Sequence, residues 1–114
     1  MAMHIRTILA AMLLGLSLPA ASEFTTIERA YEVPLSLLRI PASTSGAVMF
    51  SECAECESFR VPLTGNTEFI VNDKAVLLRD FRKSLFRIRD REAEVVTVKR
   101  HLQSNTITAI KVTL

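Results

Sequence analysis

Leu78, Phe81, Leu85 and Ile88 recur at steps of three, four and three, which places them on one stripe of a helix. That stripe predicts a single amphipathic helix over about 78–89, and the apolar residues on either side of it follow a period of two. A chain with one helical stripe set among alternating segments folds as a sheet covered by one helix, so the expected class is mainly β, a β-rich α+β domain.

The alternating segments can be read in order. Ile27, Arg29, Tyr31 and Val33 share one side of a strand that Pro34 stops, and Leu35 to Ile40 forms a second extended piece ending at Pro41. Ala47 to Ser51 reads as a short apolar strand, and Phe59, Val61 and Leu63 alternate with Arg60 and Pro62 in the next. Thr64 to Thr67 makes a turn, Phe69 and Val71 alternate in a strand, and Asn72, Asp73 and Lys74 close it. After the helix, Glu94 to Leu102 places Val96, Val98 and Leu102 on one side, and Thr106 to Leu114 does the same with Thr108, Ile110, Val112 and Leu114. Gln103, Ser104 and Asn105 join these two strands as a C-terminal β-hairpin. Strands, one helix and a closing hairpin give the element order of a small OB-like barrel plugged by a helix. A curled antiparallel sheet packed on one helix has the same order.

The N-terminus follows different rules. Met1 to Arg6 carries one cation, and Thr7 to Leu18 is a charge-free stretch of 12 residues, short for a membrane span and suited to a signal-peptide core. Ala20 and Ser22 supply the small residues for cleavage after Ser22, so residues 1–22 are expected to be a cleaved signal peptide. The expected location is periplasmic or secreted, with no stable membrane insertion after cleavage. Residues 23–45 then read as an N-terminal arm with short extended segments, joined through the Pro41 to Gly46 stretch to a small β domain over 46–114.

Composition narrows the chemistry. Only three glycines are present, at Gly15, Gly46 and Gly65, too few for a phosphate-cradling loop, and no cofactor is expected. The net charge of +2 gives no nucleic-acid footprint, but its distribution is uneven. Residues 23–57 hold six acids and two bases, whereas 58–114 hold eleven bases and six acids. No nucleophile, base and orienting group can be assembled from the spacing of Ser51, Ser58, Ser84 and His101, so a non-enzymatic role is expected.

Cys53 and Cys56 form the one short motif, Cys-Ala-Glu-Cys. In an exported chain the pair is expected to be a disulfide that staples a tight turn between two strands. The first alternative is a redox-active dithiol. Glu52, Glu55 and Glu57 surround the pair, however, and disfavour by like-charge repulsion the thiolate that a redox catalyst needs. The second is a thiol-based copper carrier using reduced Cys53 and Cys56 with Met49, for which His101 is the only imidazole outside the signal peptide. A structural metal site normally wants four Cys or His ligands, so no metal site is assigned.

Arg79, Arg82, Lys83 and Arg87 lie along the outer side of the predicted helix. They form a candidate face for an anionic partner, either an envelope protein or an anionic surface. The plainer alternative is a solvated face that pairs with Asp80, Asp90 and the acidic N-terminal half.

Read together, Leu38 to Ser43 (LRIPAS), Gly46 to Phe50, Cys53 and Cys56, Thr67 to Asn72, Asp80-Phe81-Arg82 and Thr106 to Val112 resemble a group of small exported bacterial proteins of unknown function. The resemblance spans most of the chain beyond residue 22. It implies an OB-like β-barrel with a disulfide at the Cys pair and carries no activity with it. The expected function is a non-enzymatic binding, structural or envelope-assembly protein stapled by one disulfide. The alternative is a periplasmic thiol-disulfide redox protein or copper carrier.

Overall fold

The computed structural model describes residues 27–114. The predicted signal peptide, residues 1–22, lies outside the described residues. Strands dominate: β1 (Glu28–Pro34), β2 (Leu38–Arg39), β3 (Ala47–Ser51), β4 (Ser58–Pro62), β5 (Glu68–Val71) and β6 (Lys74–Val76) precede helix α1 (Leu78–Phe86), and β7 (Val95–His101) and β8 (Thr106–Val112) follow it. They form a five-stranded sheet in the order β1-β7-β8-β5-β6 and a three-stranded sheet in the order β2-β3-β4. The fold is thus mainly β, with curled sheets and one helix, as the hydrophobic periods predict.

The chain passes between the sheets at two corners. The first is the short 3-10 turn Leu35–Leu37 after Pro34, where the Leu35 and Ser36 N–H groups donate to the carbonyls of Glu94 (2.8 Å) and Arg91 (3.0 Å). At the second corner Thr67 Oγ1 donates to the Ile107 carbonyl at 2.6 Å and accepts from the Thr64 N–H at 3.0 Å. These bonds satisfy backbone groups at both places where the ladders stop. The segment read as an N-terminal arm is part of the fold: β1 pairs with β7 along its whole length and delivers Tyr31 and Val33 to the core. Leu38, Val48, Phe50 and Val61 enter that core from the smaller sheet, and Val96, Val98, Ile107, Ile110 and Val112 from the larger. Helix α1 closes it with Phe81 and Leu85, the Phe81 ring lying 5.5 Å from that of Phe69 on β5.

Four details depart from the sequence reading. β5 and β8 pair in parallel, because the chain crosses over through α1 before β8 returns beside β5, so the larger sheet is mixed rather than antiparallel. Asn72 and Asp73 do more than end β5. Both adopt left-handed backbone (φ 51° and 67°), the conformation of a two-residue hairpin turn, and that turn creates β6. The helix stops at Phe86 rather than near 89: Arg87 and Ile88 turn back to the carbonyls of Ser84 and Leu85, and Arg91 Nη1 donates to the Leu85 carbonyl at 3.2 Å.

The fourth is a β-bulge. Lys99 pairs with Ala109 and Arg100 with Ile107, so Thr108 has no partner and the alternation shifts phase. Ile107 therefore points inward and Thr108 outward, where its hydroxyl donates to Glu28 Oε2 at 2.7 Å. Leu102 and Leu114, expected on the inner side, are exposed.

Candidate binding face and disulfide turn

β3 and β4 run antiparallel from Ala47↔Pro62 to Ser51↔Ser58, and residues 52–57 complete the hairpin. Cys53 and Cys56 are disulfide-bonded across this turn with Cα atoms 5.0 Å apart, and the Cys56 N–H donates to the Cys53 carbonyl at 3.1 Å. The turn is exposed throughout and carries Glu52, Glu55 and Glu57. The segment after Cys56 is β4, so the sulfurs have no helix N-terminus behind them. Met49 is exposed on β3, and His101 lies at the far end of β7, where Ser104 bonds to its Nδ1 within the β7–β8 turn.

Helix α1 buries Phe81 and Leu85 and turns Arg79 and Lys83 outward, with Arg82 half-buried and Arg87 at its C-cap. Arg79 approaches its neighbour Asp80 at 4.0 Å; among the described residues, Arg82, Lys83 and Arg87 make no ion pair. The described acids of the N-terminal half make no ion pair with these cations. Glu28 and Glu32 accept hydrogen bonds from Thr108 and Thr97, and the three glutamates of the disulfide turn face solvent. Two apolar side chains are exposed at the two ends of α1: Phe86, its last residue, is 72% exposed with the Arg82 guanidinium 5.7 Å from its ring centre, and Leu77, its N-cap, is 65% exposed.

Where α1 ends beside the first corner, a groove of about 320 Å³ opens. Leu35, Leu38, Ile40 and Leu85 give it an apolar floor, Phe86 flanks it, and Arg39, Arg82 and Arg91 stand around it. Among the described residues, no carboxylate lines it. One N–H of Arg91 is held by the Leu85 carbonyl, which fixes that guanidinium at the edge of the groove.

Of the predicted site residues, Cys53 and Cys56 come together, and the four cations share the α1 end of the molecule. Arg39, Arg91 and Phe86 were not singled out from sequence. Arg39 and Arg91 are 52 positions apart in the chain and meet only because the corner after β1 packs beside the end of α1. A second cluster was also missed. Arg100 donates to the hydroxyl of buried Tyr31 (3.2 Å) and to Asn105 Oδ1 (2.9 Å), and its guanidinium lies 5.5 Å from the Phe59 ring, clamping the two sheets together. Compared with known protein families, with curated proteins and with solved structures, the chain matches none.

Proposed function

We propose that this chain is a non-enzymatic binding protein of an oxidising extracytoplasmic compartment, stapled by Cys53–Cys56, that docks to an anionic envelope surface through the α1 end of the molecule. The observation that carries the reading is that Arg82, Lys83 and Arg87 have no ion-pair partner among the described residues and stand beside a phenylalanine left 72% exposed. Cations that only solubilise a face are commonly interspersed with acids, and a large exposed aromatic among them has no solubilising role.

Between Leu77 and Arg91 six bases (Arg79, Arg82, Lys83, Arg87, Arg89, Arg91) stand against two acids (Asp80, Asp90). At about 1 kcal/mol per excess cation near an anionic membrane, the electrostatic part is about 4 kcal/mol, a millimolar affinity on its own. Burying Phe86 adds about 1.5–3 kcal/mol and brings the affinity to roughly 10–100 μM. The same corners that join the two sheets also support the OB-like reading. Followed through Leu35–Leu37 and Leu63–Thr67, the strands make a circuit in which the last strand runs parallel to β5. The disulfide serves as a staple, because its turn links two strands and is ringed by carboxylates.

The test is co-sedimentation with phosphatidylglycerol-containing vesicles and with neutral phosphatidylcholine vesicles. Binding to the anionic vesicles that weakens with salt, and that falls at least tenfold in Arg79→Glu/Lys83→Glu/Arg87→Glu, is expected. Equal partitioning of the parent and the charge-reversed protein overturns the proposal.

A further inference from the structure

We infer that the groove between the first corner and the end of α1 holds a single long-chain carboxylate, its hydrocarbon chain on Leu35, Leu38, Ile40 and Leu85 and its head group against Arg39 and Arg82. The inference rests on the reading of this end of the molecule as a binding face and names the ligand of its groove.

Three observations lead to a slender anionic amphiphile. The floor is apolar while the charged residues around it are all arginines, so an occupant must be apolar along its body and negative at its end. Arginine offers a planar fork of donors that matches a carboxylate, and neither Arg39 nor Arg82 has an ion-pair partner among the described residues. The volume, about 320 Å³, lies at the small end of ligand sites. One turn of a helix about 10 Å wide and 5.4 Å long already fills roughly 400 Å³, so a partner helix does not enter.

An extended peptide fits less well for a different reason. Such a peptide gains its affinity by pairing with a free strand edge. Here the Leu35 and Ser36 N–H groups are bonded to Glu94 and Arg91, and the Leu38 N–H to Leu35, so the wall offers no run of free donors. An acyl chain needs none. Phe86 then gains a purpose, since a chain lying along the groove covers part of its exposed ring.

The experiment is titration of the purified protein with laurate below its micellar concentration, followed by calorimetry and by amide NMR shifts, with butyrate as the short-chain control. One laurate per chain is expected, with shifts centred on Leu38, Ile40, Leu85 and Phe86 and no binding of butyrate. Arg39→Gln/Arg82→Gln is expected to weaken laurate at least about tenfold, from the loss of charge-assisted bonds. Ile40→Phe, which fills the groove and keeps both arginines, is expected to abolish binding. Both variants keep residues 1–26 unchanged, so any association of that segment with laurate cancels in the comparison, and a melting curve checks that each is folded.

Laurate binding unchanged in both folded variants, shifts centred elsewhere, or butyrate binding as tightly as laurate would overturn the inference. Binding to anionic vesicles with no uptake of monomeric laurate also overturns it while leaving the membrane-docking proposal standing. Laurate uptake without vesicle binding does the reverse.

Discussion

Reducing the Cys53–Cys56 bond separates a structural staple from a working thiol pair, and the structure sets the size of the effect. The bond closes a loop of four residues, for which the chain-entropy relation gives about 6 cal/mol/K, or about 2 kcal/mol at 25 °C. The folded state adds little to that figure. Residues 52–57 are exposed, so no core packing depends on the sulfurs, and the Cys56 N–H to Cys53 carbonyl bond at 3.1 Å survives their separation. A domain with 88 described residues has a net stability of about 4–13 kcal/mol, so the reduced protein stays folded at 25 °C. Its melting temperature is expected to fall by about 8–16 °C. The assay is thermal melting followed by circular dichroism, with and without a phosphine reductant, alongside Cys53→Ser/Cys56→Ser. Reduction and the double substitution should agree, because both act by loosening the unfolded chain. A reduced protein melting within about 2 °C of the oxidised one would refute the entropic argument. So would a reduced protein that is unfolded at 25 °C, since the bond would then be holding native contacts that the exposed turn does not show.

Phe81→Ala empties a fully buried site against Phe69, for which about 3–5 kcal/mol is expected; against a net stability of about 4–13 kcal/mol, urea denaturation should show a midpoint lowered by at least about a quarter, or no folded baseline at all. Arg100→Ala removes the donor to the buried Tyr31 hydroxyl, the stacking on Phe59 and the Asn105 contact together. It should cost about 1–3 kcal/mol, and less in a Tyr31→Phe background, where no hydroxyl is left unpaired.

How much of the molecule was readable from sequence can be judged element by element. β3 was legible to the residue because Ala47 to Ser51 is apolar and bounded by turn residues, and Phe81 and Leu85 were legible as the core side of α1 because a helical stripe repeats over three turns. β6 was invisible: Lys74–Val76 is three residues long, and only the left-handed backbone at Asn72 and Asp73 folds it onto β5. The inward side of β8 was misread at Thr108 because one unpaired residue opposite Lys99 and Arg100 changes the phase, and a period of two carries no sign of where such a residue falls; Leu114 is exposed because the strand ends at Val112.

The candidate site divides in the same way. The disulfide is local, as two cysteines three apart in a turn can reach each other whatever the rest of the chain does, and the run Arg79, Arg82, Lys83 and Arg87 shares a helix side by spacing alone. These properties, along with the class of the fold, are encoded locally, because each depends on neighbours within one turn or one strand. The groove exists only once distant segments have packed. Leu35 comes from the corner after β1, Leu38 and Arg39 from β2 with Ile40 just after it, Arg82, Leu85 and Phe86 from α1, and Arg91 from the loop before β7. Whether they enclose a space or fill one depends on how the corner and the helix end pack together. That packing is set by the pairing of β1 with β7 and by the bonds from Leu35 and Ser36 to Glu94 and Arg91, contacts between residues more than 50 positions apart that no local period encodes.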